Sequence, residues 1–325
     1  MDLALMATLA ELVQEHTDLE ANVVSHFQRL VAGWGVLSDL SFADLLLFVP
    51  AKGSTDSFVV VGQVRPTTNQ TLHLDDLVGT VFGPEDRAVL ARAWNLGSLV
   101  EGEVEIPSRN ESARLVCIPV RLDGALVAIM TRESGLAVGR RPGLLERVYV
   151  EVFDRFVRMI SNGEFPFPVD ETILTEAPRV GDGVMVLDAS GRTDYASPNA
   201  VNALHRMGVY SGIDGARLDE AGLEQSAVST AYQTRLPASE EVGDGGDTSV
   251  VLRCVPLLDH GAVTGALVLM RDVSDLRRRD RLLLSKDAAI REVHHRVTNT
   301  RQTISSLLRL QSRRMPSGEA SHALD

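Results

Sequence analysis

Apolar residues recur at helical spacing over the first 33 positions, where Leu5, Leu9, Leu12 and Val13 form one series and Val23, Phe27, Leu30 and Val31 another. Intervals of three and four place such residues on one side of a 3.6-residue turn, so the pattern predicts one or two amphipathic helices. From Phe42 short continuous apolar runs take over. Residues 43–49 and 58–64 read as strands separated by a polar turn carrying Lys52, Gly53, Ser54 and Asp56. Two more strands, 113–120 and 125–130, flank Asp123-Gly124. That dipeptide signals a tight hairpin, because both central residues of a type I′ turn need positive φ. A helix is predicted from Pro142 to Ile160, with Leu144, Leu145, Val148, Val152, Phe153, Phe156, Val157 and Ile160 on its apolar side. Asn162-Gly163 ends it.

Between Glu164 and Pro178 the periodicity lapses, and Pro166, Pro168, Pro178 and several acids read as a short linker. A second set of strands opens at 183–188, turns at Ala189-Ser190-Gly191 and continues over 194–200. It closes with 249–257 and 262–270, and the Gly- and acid-rich stretch 240–247 reads as a loop. Both sets have strands at each end and helices between. The fold class is therefore α+β, with antiparallel sheets that carry helices on one face. The expected organisation is a first domain over 1–163, a linker over 164–178, a second domain over 179–275 and a helical segment over 276–325.

The last segment follows a different rule. Leu276, Leu283, Ile290, Val297 and Ile304 repeat at an interval of seven, the spacing of a helix that supercoils against a partner. This predicts a homodimer through 276–314, in preference to a surface helix packed on its own domain. Pro316-Ser317-Gly318 breaks the helix, and 319–325 reads as the start of a second one. His294 and His295 are adjacent on the helix, so at ~100° per residue they cannot share a direction. His294 lies near the edge of the apolar seam and His295 points almost directly away from it. Arg291, Glu292, Asn299 and Gln302 occupy the same outward sector as His295. An exposed imidazole with an unprotonated ring nitrogen is a nucleophile, and Arg291 or Arg296 could attract phosphate oxygens.

Charge sharpens this picture. The net charge is −12, yet residues 271–325 hold 12 Lys/Arg against 7 Asp/Glu, leaving −17 on the preceding 270 residues. So acidic a body argues against direct nucleic-acid binding. The basic run Arg277-Arg278-Arg279 with Arg281 fits either the solvated face of a helix or the docking of an acidic or phosphate-bearing partner. No apolar run approaches the ~18 residues of a membrane span, and the N-terminus lacks a cationic signal region, so a cytoplasmic protein is expected. Cys117 and Cys254 read as reduced, buried thiols. His73, His205 and His260 have no partners at metal-ligand spacing, so no metal site is expected. Trp34 and Trp94 fit core or pocket-wall positions.

The run 292–302, followed by Ser305-Ser306-Leu307-Leu308-Arg309-Leu310-Gln311, resembles the phosphoacceptor box of bacterial sensor histidine kinases. The subgroup is that whose box reads roughly Glu-x-x-His-Arg-Val-Lys-Asn-Asn-Leu-Gln. The second domain resembles a PAS domain, with Tyr195–Ala200 at a strand-to-helix entry and Arg271-Asp272-Val273-Ser274 at the closing signature. The first resembles a GAF domain, and the order is that of soluble actinobacterial two-component sensors.

The resemblance implies that His295 is the phosphoacceptor, with Glu292, Arg296 and Asn299 around it. At the exit of the second sheet, Asp272 and Ser274 could bond to each other or to Arg277 and so couple the sheet to the helix, with a plain strand-end turn as the alternative. ATP and Mg²⁺ are expected only through a catalytic domain that these residues do not contain, so the chain alone is expected to be inactive. A response regulator of the RNA-binding antiterminator type is the implied phosphoryl acceptor, and GAF and PAS sheets commonly enclose an unidentified small-molecule ligand. Thr298, Thr300 and Arg301 stand where the subgroup has Lys, Asn and Leu. A non-enzymatic dimeric ligand-binding adaptor remains the alternative.

Overall fold

The computed structural model describes residues 9–312 except 18, 55, 107, 108, 110, 137–141, 169–176, 211 and 244–247. The expectations placed on Leu5, on the helix break at 316–318 and on a helix over 319–325 lie outside the described residues, as does most of the acidic part of the expected linker. The chain divides into two compact units, 1–272 and 273–325.

In the first unit, helices α1 (Leu9–His16), α2 (Ala21–Ala32) and α3 (Trp34–Ser41) precede strands β1 (Asp44–Pro50) and β2 (Phe58–Val64). The short strand β3 (Val81–Phe82), helix α4 (Ala88–Leu96), strands β4 (Val100–Ile106), β5 (Glu111–Leu122) and β6 (Ala125–Gly135), and helix α5 (Leu144–Asn162) follow. The strands form one antiparallel sheet in the order β3-β2-β1-β6-β5-β4. Asp123 and Gly124 take φ of 50° and 81°, the left-handed pair that the β5–β6 hairpin was expected to need.

Strand β1 is buried at every position but its last. The reason is that both faces of the sheet are covered. Helices α2, α3 and α5 pack on one face. Helix α4 and the segment around Leu72, Leu77 and Phe82 pack on the other. Helices on a single face thus describe only half of this sheet, and the unalternating run Leu45–Val49 is the corresponding sequence signal.

The second sheet contains β7 (Val184–Asp188), β8 (Thr193–Ala196), β9 (Ala238–Gly243), β10 (Ser249–Asp259) and β11 (Ala262–Asp272), ordered β8-β7-β11-β10-β9. Helices α6 (Pro198–Arg206) and α7 (Ala227–Thr234) cover one face. Ser197 caps α6: its Oγ accepts from Ala200 N at 3.3 Å, and Pro198 occupies the first turn, where no N–H is needed. Residues 238–243 are edge strand β9, paired with β10 from Cys254 to Ser249, where a loop was expected from Glu240 onward. Its positions alternate between half-buried and exposed, and it carries Glu240 and Glu241. A charged edge strand offers no apolar run to detect.

The other face of this sheet packs on α5. Val184, Val186, Val255, Leu257, Leu267 and Leu269 belong to the same apolar cluster as Val152, Phe156 and Ile160. Phe165 and Phe167, in the expected linker, belong to it too, at 6% and 4% exposure. Their rings meet edge to face at 5.7 Å, and Phe165 meets Phe156 at 5.3 Å. Burying such a side chain contributes about 1.5–3 kcal/mol, so the first residues after α5 are core and not tether. Arg155 Nη2 donates to Thr264 Oγ1 at 2.7 Å, and Gly261 N donates to Glu164 Oε1 at 2.5 Å.

Among its described residues the second unit is one continuous helix, α8 (Ser274–Ser312), of 39 residues. Every side chain described from Arg281 onward is exposed. Among the described residues no helix is long and apolar enough to cross a membrane.

Candidate functional site

His294 and His295 both lie mid-way along α8 and both are exposed. At ~100° per residue, His295 points about 150° away from the line through Ile290 and Val297, whereas His294 lies about 50° from it. Glu292 Oε1 accepts from Arg296 Nη2 at 2.6 Å across one turn. Asn299 stands one turn beyond His295 and Glu292 three residues before it, so a carboxylate, an amide and an imidazole share one sector, and Arg296 reaches it through its pair with Glu292. Behind them the hydroxyls of Thr300 and Thr303 donate to Arg296 O and Asn299 O, both at 2.9 Å.

The apolar series on the opposite side is open to solvent in the single chain: Leu283 is 60% exposed, Ile290 56%, Val297 60% and Ile304 52%. Val293 and Leu307, three residues after Ile290 and Ile304, are exposed to the same extent and extend the seam. The seven-residue count passed over both, although a three–four alternation detects them. Arg301, which the same angular count places near the line of the seam, is exposed in the single chain.

Of the residues expected to couple sheet and helix, Asp272 ends β11 in the first unit and is ion-paired with Arg206 at the end of α6. Ser274 opens α8. Arg277 pairs with Asp280 at 3.5 Å along the same helix.

Sequence reading did not find a second assembly of charge, buried beneath the first sheet. Glu133 is fully buried on β6. It takes His73 Nε2 at 2.7 Å, Thr131 Oγ1 at 3.0 Å and an ion pair with Arg87. The Arg87 guanidinium lies 5.2 Å from the Phe48 ring centroid and 4.9 Å from that of Phe82. Burial alone would raise the Glu133 carboxyl, but the hydrogen bond from His73 and the charge of Arg87 outweigh it and hold it below the usual range.

Two more buried carboxylates tie the chain around residues 67–72 to the same domain. Asp39 accepts from Thr67 N at 2.7 Å, and Asp44 accepts from Thr71 Oγ1 at 2.6 Å. Alternation was the available signal: Ile129, Thr131 and Glu133 share one face of β6. Burial, then Glu133, pushes the Cys117 thiol up to about 12, and burial does the same to Cys254. Both behave as inert core thiols. Among the described residues no three His, Cys, Asp or Glu side chains are grouped as a metal site requires. His260 lies exposed in the β10–β11 turn, and His205 stacks on Tyr210 at 5.7 Å.

Comparison with known proteins bears on both units. The family described as the GAF domain of histidine kinase PdtaS matches residues 9–153, and a histidine kinase family, HisKA_2, matches 292–325. A solved structure described as the sensor region of a sensor histidine kinase is 34% identical, with a TM-score of 0.70, and the alignment covers 84% of this chain and 100% of that one. The chain belongs to the sensor histidine kinases. The sensor histidine kinases PdtaS of Mycolicibacterium smegmatis and Mycobacterium tuberculosis are each 38% identical over 98% of the chain. The chain spans 66% of the length of these PdtaS relatives. The first-domain match includes the sheet that buries Glu133, and the histidine kinase match begins at Glu292.

Proposed function

We propose that these residues form the sensory and phosphoacceptor portion of a two-component sensor histidine kinase in which His295 receives the γ-phosphoryl group of ATP. The observation that carries this reading is the coincidence of the histidine kinase match with the helix geometry. The matched segment opens on Glu292, and His295 projects away from the apolar side of a continuous helix. An unprotonated ring nitrogen of His295 attacks the γ-phosphorus, the bond from phosphorus to the bridging oxygen of ADP breaks, and a phosphoramidate forms. Glu292, one turn earlier, accepts the proton of the other ring nitrogen. Arg296 and Asn299 offer N–H groups to the phosphoryl oxygens.

ATP and Mg²⁺ reach His295 through an ATP-binding domain, and the 325 residues contain no Walker-type Gly-x-x-x-x-Gly-Lys. The phosphoryl group then passes to an aspartate of a response regulator, of the RNA-binding antiterminator type. The exposed seam of α8 pairs with a second copy of the chain, and the GAF-like and PAS-like domains bias that pairing through a small-molecule ligand. A second reading, a non-enzymatic dimeric adaptor, draws on Thr298, Thr300 and Arg301, which replace the Lys, Asn and Leu of the related box.

The reading is tested by labelling with γ-phosphate-labelled ATP. A protein in which this chain continues into an ATP-binding domain should take up acid-labile, alkali-stable label, and the 325 residues alone should take up none. Label on the 325 residues alone would contradict the mechanism. Its absence from the extended protein would favour the adaptor.

A further inference from the structure

A crevice of about 330 Å³ opens within the first unit, where α2, α3 and the end of α5 face strand β10. It is remote in sequence from the phosphoacceptor box, and it is separate from the buried Glu133 cluster, which lies across the first sheet. Its apolar wall is built from Phe156, Phe165, Phe167 and Val255, and its polar edge carries Arg29 from α2 and Arg253 from β10. The phenyl wall is fixed. Phe165 and Phe167 are almost wholly buried and stand edge to face. Phe165 also lies so close to α2 that a Cβ at Gly33 would meet its ring at 2.9 Å. Any side chain there would displace the ring that closes the crevice.

Two features specify what fits. The Nε of Arg29 is buried and has no hydrogen-bond partner among the described residues. A buried guanidinium N–H carries its desolvation penalty until an acceptor oxygen reaches it, and an anionic oxygen relieves most of that penalty. The facing rings offer an apolar slot suited to a flat or short apolar body.

We propose that this crevice binds a small amphipathic carboxylate, its carboxylate taken by Arg29 with Arg253 nearby and its aromatic or short alkyl body against Phe156, Phe165 and Phe167. Such a ligand touches α2 of the first domain and β10 of the second at once. Its occupancy sets how firmly the two sheets share their apolar cluster. The proposal does not depend on which histidine is phosphorylated, and its test reads binding alone.

The test is calorimetric titration of the 325-residue chain with 2-naphthoate and with its uncharged analogue 2-naphthamide. A ligand of this size in a fitted site is expected to bind with a Kd on the order of 1 mM or tighter. The amide should bind about tenfold more weakly, since it forfeits the charge-assisted contact. Arg29→Gln should bring naphthoate down to the affinity of the amide while leaving the amide unchanged. Val36→Trp, which fills the crevice and alters no charge, should abolish binding of both and decides the matter should Arg29→Gln fail to fold. Equal affinity of acid and amide, an unchanged affinity in a folded Arg29→Gln chain, undiminished binding in Val36→Trp, or no saturable naphthoate binding up to about 10 mM would each overturn the proposal.

Discussion

Glu292 and Arg296 are joined by a 2.6 Å ion pair across one turn of α8, and His295 follows Glu292 by three residues on the side of the helix away from the apolar seam. Both partners are largely exposed, so the pair adds little to helix stability. Its effect is positional. It ties a guanidinium to the carboxylate that stands three residues before the imidazole, while the other side of the helix stays apolar.

That apolar side is expected to close against a second copy of the chain. Val297→Asp places a charge in the middle of the seam, where burial without a partner is unfavourable. Sedimentation equilibrium should show the wild-type chain as a dimer and the variant as a monomer, with the circular dichroism of the two sheets retained. A wild-type monomer at tens of micromolar, on the order of ordinary dimer affinities, would remove the coiled-coil reading.

The Glu133 cluster predicts a stability defect. Glu133→Gln leaves the Arg87 charge buried without a counter-charge, which costs about 3–5 kcal/mol. Urea unfolding followed by near-ultraviolet circular dichroism should show a lowered midpoint for the first domain. Because the folded carboxyl is held below its unfolded pKa, its contribution is fully present above that unfolded value and is lost as pH falls through the folded one. The difference between wild type and variant should therefore shrink in strong acid. A midpoint within error of wild type at pH 7 would show that the cluster is not coupled to folding.

His26 acts in a different pH window. It is buried on α2 at 2% exposure, and burial, followed by the charge of Arg29, lowers its pKa to about 4, while Asp123 opposes the shift. Between about 4 and the unfolded value of 6.5 the unfolded chain binds more protons than the folded one, so stability falls as pH is lowered through that range. The slope from this group is at most about 1.4 kcal/mol per pH unit. His26→Gln should flatten the fall in unfolding free energy between pH 6.5 and pH 4. An unchanged slope would mean that His26 is not buried in its neutral form.

The sequence disclosed these features unevenly, for physical reasons. Asp123-Gly124 gave the β5–β6 hairpin because only certain residues tolerate two consecutive positive φ angles. His260 and Gly261 make the same kind of turn, at φ of 49° and 75°, without so recognisable a dipeptide. Strand β9 was hidden by its own edge chemistry. Phe165 and Phe167 sit among prolines and acids, so no period marks them as core, and their burial depends on a sheet that begins only at Val184. The Glu133 cluster joins residues 60 and 46 positions apart, a separation that no local pattern spans. For His295, helix geometry and a short motif converge on one position, which makes it the proposed phosphoacceptor.

Asp272 offers a test of how the second sheet meets the helix that follows it in the chain. Its described ion pair is with Arg206 of α6. Asp272→Ala should leave the domain folded and, in a protein that autophosphorylates, remove the dependence of phosphorylation on the sensed ligand. Arg206→Ala should do the same if that ion pair is the coupling element. Wild-type regulation in both variants would assign coupling elsewhere.

The central claim concerns which imidazole accepts phosphate, and adjacent histidines allow a direct comparison. In a protein extended through its ATP-binding domain, His295→Gln should abolish acid-labile label from ATP, whereas His294→Gln should retain it, since residue 294 lies toward the apolar side. Label that persists in His295→Gln and vanishes in His294→Gln would contradict the account.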